Sequence, residues 1–236
     1  MAAAAAAPVR RREITPTRGS TRTTRSSRST RERLLRSGLV LARRSGLRRL
    51  TVRALASHAG VNLGSFVYHF GSRDAFNDEL MERWYAPLWS QLQETVDDEP
   101  LPIERFRKLV LCLFEWVAAN RAFVGHMLLD AAAGEPAAMR FMHTLASRHP
   151  VLIAKAIGDA QAAGQIVGGE PLHLMAFTFG AVGAPILVGH GIASQRIGPN
   201  EMARTILGLA IAPEQIEQRL QWVIAGIGVN RAGGGT

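Results

Sequence analysis

The sequence predicts an all-α fold, with a small N-terminal three-helix unit containing a helix-turn-helix and a larger C-terminal helical domain. Three observations carry this prediction. No alternation of period two persists anywhere in the 236 residues. Apolar residues instead recur at helical spacing in almost every segment between glycine or proline breaks. And Thr51 to Phe70 reads as two short helices joined by a tight turn.

Residues 1–29 come first and read as a disordered basic arm. An alanine tract precedes Arg10, Arg11 and Arg12, and a run rich in arginine, serine and threonine follows, with Glu13 the only acid. So few hydrophobes cannot offset the entropy of ordering the segment. Three roles stay open for it: an arm along phosphates or in a minor groove, an inert tail, or an organelle transit peptide. No apolar stretch of the kind a secretory signal needs follows the first arginines.

Thr30 to Ser45 is the first expected helix, with Leu34, Leu35, Gly38, Leu39, Leu41 and Ala42 as its inward stripe and Gly46 as its stop. Arg43, Arg44, Arg48 and Arg49 crowd the joint that follows. In the next unit Val52, Leu55, Ala56 and Ala59 share one helical face. Gly60 supplies a residue able to take positive φ. Asn62 is an N-cap for a second helix carrying Leu63, Phe66, Val67 and Phe70. Small residues at Ala56 and Gly60 allow the two helices to cross closely, and the second is built to enter a DNA major groove. Gly71 breaks that helix. Ser72 caps the next, in which Asp74, Asp78 and Glu79 complement the macrodipole and Phe76, Leu80, Met81, Trp84, Leu88 and Trp89 form the apolar face.

A polar, proline-containing loop near 95–102 separates this linking helix from the remainder. Helices are expected over 103–119, 121–133, 136–147, 150–163, 171–193, 199–209 and from Pro213 to about Gly226. The domains are therefore placed at 30–76 for the helix-turn-helix unit and 77–229 for the helical domain, with a flexible Gly-rich tail at 230–236. The stretch 171–193 carries no formal charge and is long enough for a membrane span. His173, Pro185, His190 and several glycines interrupt it. Ala176, Gly180 and Ala184 recur every fourth residue, which favours a close helix–helix seam, and no membrane partner is expected.

The formal net charge of +9 points to a polyanionic partner, nucleic acid before membrane. Lys108 and Lys155 are the only lysines, an arginine bias that a G+C-rich genome explains, though not where the arginines sit. Cys112 is the only cysteine, so no internal disulfide forms, and a reducing, cytoplasmic setting is expected. On an apolar face it reads as an inert small hydrophobe. The histidines lack metal-ligand spacing, and no metal or cofactor is expected. No Gly-x-Ser-x-Gly elbow, phosphate-cradling loop or paired carboxylates suggest an enzyme.

The segments Thr30 to Leu35, Leu50 to Ala56, Ala59 to Phe66 and Tyr68 to Phe76 resemble the DNA-binding domain of the TetR (tetracycline-repressor-like) family. The resemblance is specific over about Thr30 to Leu80. It implies an all-α homodimer whose C-terminal domain binds a small effector and dimerises, so that the chain acts as a transcriptional regulator, most commonly a repressor, on palindromic double-stranded DNA. It also implies that Thr51 caps its helix against a phosphate and that Arg53 reaches a base edge. Asn62, Leu63, Gly64 and Ser65 would form the groove-facing start of the reading helix. Tyr68 and His69 would contact the DNA backbone, and Arg73 a phosphate. Val67 departs from the family, which commonly has a tyrosine there. Aromatic and methionine residues in the C-terminal domain are mainly core. In the ligand-binding reading Trp116, His126, Met127, Met142, His143 and Phe177 line a pocket for an apolar or amphipathic effector. The alternative is a DNA-binding dimer with no effector, its C-terminal domain serving dimerisation alone.

Overall fold

Side-chain caps and two glycine turns fix the N-terminal unit, as this computed structural model, which describes residues 20–229, makes plain. Helix α1 spans Ser20–Ser45 and inserts Leu34, Leu35 and Ala42 into the core. Thr51 Oγ1 then accepts a hydrogen bond from the Ala54 N–H at 3.2 Å and opens α2 (Val52–Ala59). At φ 62°, Gly60 takes the left-handed conformation expected of it. Its N–H and that of Val61 return to the last carbonyls of α2. Asn62 Oδ1 accepts from the Ser65 N–H at 2.7 Å to begin α3 (Leu63–Phe70). Ser72 does the same for Ala75 at 3.1 Å and opens α4 (Arg73–Asp98). Phe66 and Phe70 lock α3 onto Phe76 of α4, with ring centroids 4.8–5.5 Å apart.

Two expectations change here. Helix α1 starts ten residues before Thr30, so residues 20–29 do not belong to a disordered arm. No proline or glycine interrupts 20–30. A helix nucleated by its packed half extends at one hydrogen bond per added residue, without a second nucleation cost. The rest of the arm and the tail at 230–236 lie outside the described residues.

The segments 103–119 and 121–133, expected as two helices, form one 31-residue rod, α5 (Pro102–Ala132), about 46 Å long. Asn120 at the expected break stays in the helix. Its amide donates to the Trp116 carbonyl, and its Oδ1 accepts from Trp84 Nε1 and from Arg43 of α1. Beyond lie α6 (Pro136–Thr144), a 3₁₀ turn at Leu145–Ser147 and α7 (His149–Ala162). Then follow α8 (Pro171–Thr178), a π turn at Phe179–Gly183, α9 (Ala184–Ser194), α10 (Asn200–Ile211) and α11 (Pro213–Ile227). Pro185 lacks the N–H that would bond Ala181 in a regular α-helix, and the π turn sits where that rung is lost. Among the described residues there is no strand, only an isolated bridge between Ile166 and Gly228.

The α1–α2 turn is held from the C-terminal side. Asp130, buried near the end of α5, accepts the Leu47 N–H at 2.6 Å and the Arg48 N–H at 3.4 Å. Gly46 (φ 79°) makes the approach possible, since a Cβ there would lie 2.6 Å from Asp130 Oδ2. From the start of α4, Arg73 donates to the Leu50 carbonyl at 3.0 Å, the Leu47 carbonyl at 2.7 Å and the buried Glu135 carboxylate at 3.1 Å.

Candidate nucleic-acid interface and apolar cavity

With Phe66 and Phe70 turned inward, α3 turns Leu63, Val67 and Tyr68 outward, and they are 53%, 56% and 80% exposed. Gly64 lies exposed between them, with nothing but the Asn62 side chain near where a Cβ would stand. The outer surface of the reading helix is thus apolar and aromatic. Its polar groups are partly spent on each other, because Ser65 Oγ donates to Asn62 Oδ1 at 2.9 Å while that oxygen also caps the helix. His69 is half-buried, edge-on to Tyr68 at 5.0 Å and to Phe70 at 6.3 Å.

The segments before α3 are rich in arginine. Arg44, Arg48, Arg49 and Arg53 are exposed, and none pairs with a carboxylate among the described residues. Thr51 is exposed too, with its hydroxyl at the N-terminus of α2 beside Arg53. Arg73 belongs elsewhere. Its guanidinium is turned inward onto two carbonyls and Glu135, so the phosphate role expected of it is withdrawn. Glu135 captures it because that carboxylate, almost wholly buried, needs a cation.

The C-terminal domain holds a partly open cavity of about 770 Å³ between α4, α5, α6, α7, the π turn and α9, large enough for a drug-sized molecule. Of the expected pocket residues Trp116, Met127 and Met142 line it; His126, His143 and Phe177 do not. His143 faces solvent from α6 and Phe177 is 52% exposed on α8. Phe179, two residues on and about 200° further round the helix, takes the inward place and meets Phe114 edge-on at 5.1 Å. The histidine in the wall is His149, whose Nδ1 lies 2.9 Å from the Tyr85 hydroxyl. Burial pushes its imidazole down to about 4, with the Arg148 charge adding to the effect. Burial raises the Tyr85 phenol as well, against a hydrogen bond from the His149 backbone. Cys112, half-buried on α5, has its thiol pushed up to about 11 by burial and by Glu115, and is not a reactive thiolate.

Ala176 of α8, Gly180 of the π turn and Ala184 of α9 are exposed, the space where a Gly180 Cβ would stand is open, and Gly180 and Ala184 also line the cavity. Leu172, Val188, Met202, Leu209 and Trp222 are exposed on the same group of helices. The run Pro171–Ser194 is long and apolar enough to cross a membrane by length and composition, and 28% of its most apolar window is buried. Val182 and Ile186 supply the buried flank.

Residues 34–80 match the family described as "Bacterial regulatory proteins, tetR family". Over 96 residues the chain is 33% identical to the HTH-type transcriptional repressor KstR2 of Mycobacterium tuberculosis, a match that covers 41% of this chain and 48% of that protein. The corresponding repressor of Mycolicibacterium smegmatis is 29% identical over the same length. The chain thus spans about half the length of the curated relatives it matches. Among solved structures, the ketosteroid transcriptional regulator KstR2 of Mycobacterium tuberculosis superposes with a TM-score of 0.61 at 21% identity, over 85% of this chain and 95% of that one. A TetR transcription regulator from Haloarcula marismortui gives 0.62 at 13% identity, over 85% and 99%. These structural likenesses carry the fold.

Proposed function

From the match of residues 34–80 to the tetR family of bacterial regulatory proteins, we propose that the chain is a regulator of that family, a cytoplasmic homodimeric repressor released from a palindromic operator by an apolar or amphipathic small molecule. On this reading it is a DNA-binding regulator and not an enzyme. The observation that supports ligand control is α5. It lines the cavity from Leu113 to Leu128, and two residues later its Asp130 holds the Leu47 N–H at the entrance to the DNA-reading unit.

A ligand that prefers one placement of the last turns of α5 would move Asp130, and with it the Gly46–Leu50 turn from which α2 and α3 are hung. It shifts the dimer between DNA-competent and incompetent states only by its difference in affinity for the two. The exposed apolar residues of α8 to α11 support dimerisation through that face, where Ala176 would be a seam residue, while Gly180 and Ala184 are shared with the cavity lining. Two readers would then contact half-sites about 34–36 Å apart or a multiple of it. Thr51, Arg53, Asn62, Leu63, Gly64, Ser65, Tyr68 and His69 remain the proposed DNA contacts, now without Arg73. Arg48 and Arg49 join them as phosphate contacts. With so few free polar groups on α3, base reading leans on thymine methyls against Leu63 and Val67 and on Arg53.

Selection of bound sequences from a random duplex pool should return an inverted repeat. Compounds that raise the melting temperature should then be tested for release of that DNA. A compound that binds tightly and leaves DNA affinity unchanged would favour the second reading, a dimerising domain without an effector.

A further inference from the structure

None of the residues lining the cavity carries an ionised side chain. Apart from two tryptophan indoles and two methionine sulfurs, the wall offers one polar point, the Tyr85–His149 pair. Its proton arrangement follows from its partners. A phenol is a far stronger hydrogen-bond acid than a neutral imidazole N–H, so in the 2.9 Å contact the Tyr85 hydroxyl donates and His149 Nδ1 accepts. An Nδ1 that accepts places the ring proton on Nε2. Among the described residues nothing hydrogen-bonds Nε2. It is therefore a neutral donor, with burial keeping the ring uncharged.

The neighbouring charge is already committed. Arg148 donates to both oxygens of Glu82 at 2.9 Å and lies over the rings of Tyr85 and Phe141, 5.0 and 5.8 Å from their centroids. It does not line the cavity. A quaternary ammonium would find those two aromatic faces covered on one side by a like charge. A carboxylate would be desolvated with no cation in the wall to meet it.

We propose that the cavity selects a neutral, largely apolar ligand bearing one carbonyl oxygen, which accepts a hydrogen bond from His149 Nε2, while Tyr85 is the positioning residue that fixes the imidazole tautomer. This rests on the reading of the cavity as an effector site. An alcohol can also accept from Nε2, but its own proton is then left without an acceptor.

The test uses compounds built on an unbranched eleven-carbon chain, whose flexible tails adapt to the cavity: undecan-2-one, undecan-2-ol, undecanoate and an undecyltrimethylammonium salt. Binding to the full chain near neutral pH is read from the fluorescence of Trp84 and Trp116, both in the wall, and checked by equilibrium dialysis. The ketone should bind about 10-fold tighter than either ion and several-fold tighter than the alcohol. His149→Phe, close in volume, should erase the preference for the ketone while still binding the alcohol. In Tyr85→Phe the ring can change tautomer, so the ketone and alcohol affinities should converge, an effect that mere loosening of the wall would not produce. Carboxylate or ammonium binding at least as tight as the ketone overturns the proposal and leaves the effector reading standing. The expected ranking without release of operator DNA sinks the effector reading and not the ligand class. Binding of none of the four by a folded chain overturns the proposal outright.

Discussion

The outer face of α3 and the inner wall of the cavity are made of similar material and meet opposite surroundings. Leu63, Val67 and Tyr68 stand in solvent, in a unit whose Arg48, Arg49 and Arg53 have no carboxylate partner among the described residues. Tyr85, Trp116 and Phe141 are walled in, with no charge in the lining. Apolar surface alone does not choose a partner; the charges around it do. With exposed arginines in the same small unit, the first suits a polyanion with methyl groups in its groove. Lined without a charged side chain, the second suits a small neutral molecule.

The walled surface should break most sharply with pH. An unfolded chain protonates His149 near 6.5, whereas the folded chain resists until about 4. The stabilisation from keeping the ring neutral is whole above about 6.5 and is lost as pH falls toward 4, up to about 3 kcal/mol. Melting temperatures taken down this range should fall steeply in the parent chain and much less in His149→Phe. A parallel fall in both would assign the acid sensitivity to another group. Next in size is the joint between the two surfaces. Asp130→Ala leaves the buried Leu47 N–H without its acceptor, a loss of about 2 kcal/mol. That lowers the melting temperature by about 4–8 °C in a chain of this size.

On the exposed side the effects are smaller. Replacing Arg48 and Arg49 by alanine should flatten the dependence of log K on log salt by about 1.8, two phosphates' worth. An unchanged slope would remove both from the phosphate track. Thr51→Ala deletes the α2 cap and should cost about 1 kcal/mol in unfolding experiments. Smallest is Val67→Tyr. Stability should stay within about 0.5 kcal/mol, since the site is exposed. DNA affinity should rise several-fold if the added hydroxyl reaches a phosphate, as the commoner family residue would.

These two surfaces also differ in how far the sequence revealed them. The reader is written in local chemistry: the caps at Thr51, Asn62 and Ser72 and the turn at Gly60 act within four residues, so each could be recognised in the linear chain. The cavity is written across distance. Tyr85 and His149 are 64 positions apart, and no spacing rule pairs them. Phe177 is an expected wall residue, yet Phe179, about 200° further round the helix, takes that place, because composition does not say which of two neighbouring phenylalanines faces inward. Arg73 looked like a free cation at a helix start, and only its proximity to Glu135 shows that it is spent. Helix α1 ran past its expected cap because composition alone does not register the packed half that supports it.

The exposed apolar face of α3 has a thermodynamic consequence. Docking Leu63, Val67 and Tyr68 into a groove strips water from hydrocarbon, which gives association a negative heat-capacity change. The enthalpy of operator binding should therefore grow more favourable with every degree of warming. The arginine contacts draw instead on the release of counterions, an entropic gain. Calorimetry at several temperatures would separate the part of recognition that resembles protein folding from the part that resembles ion exchange.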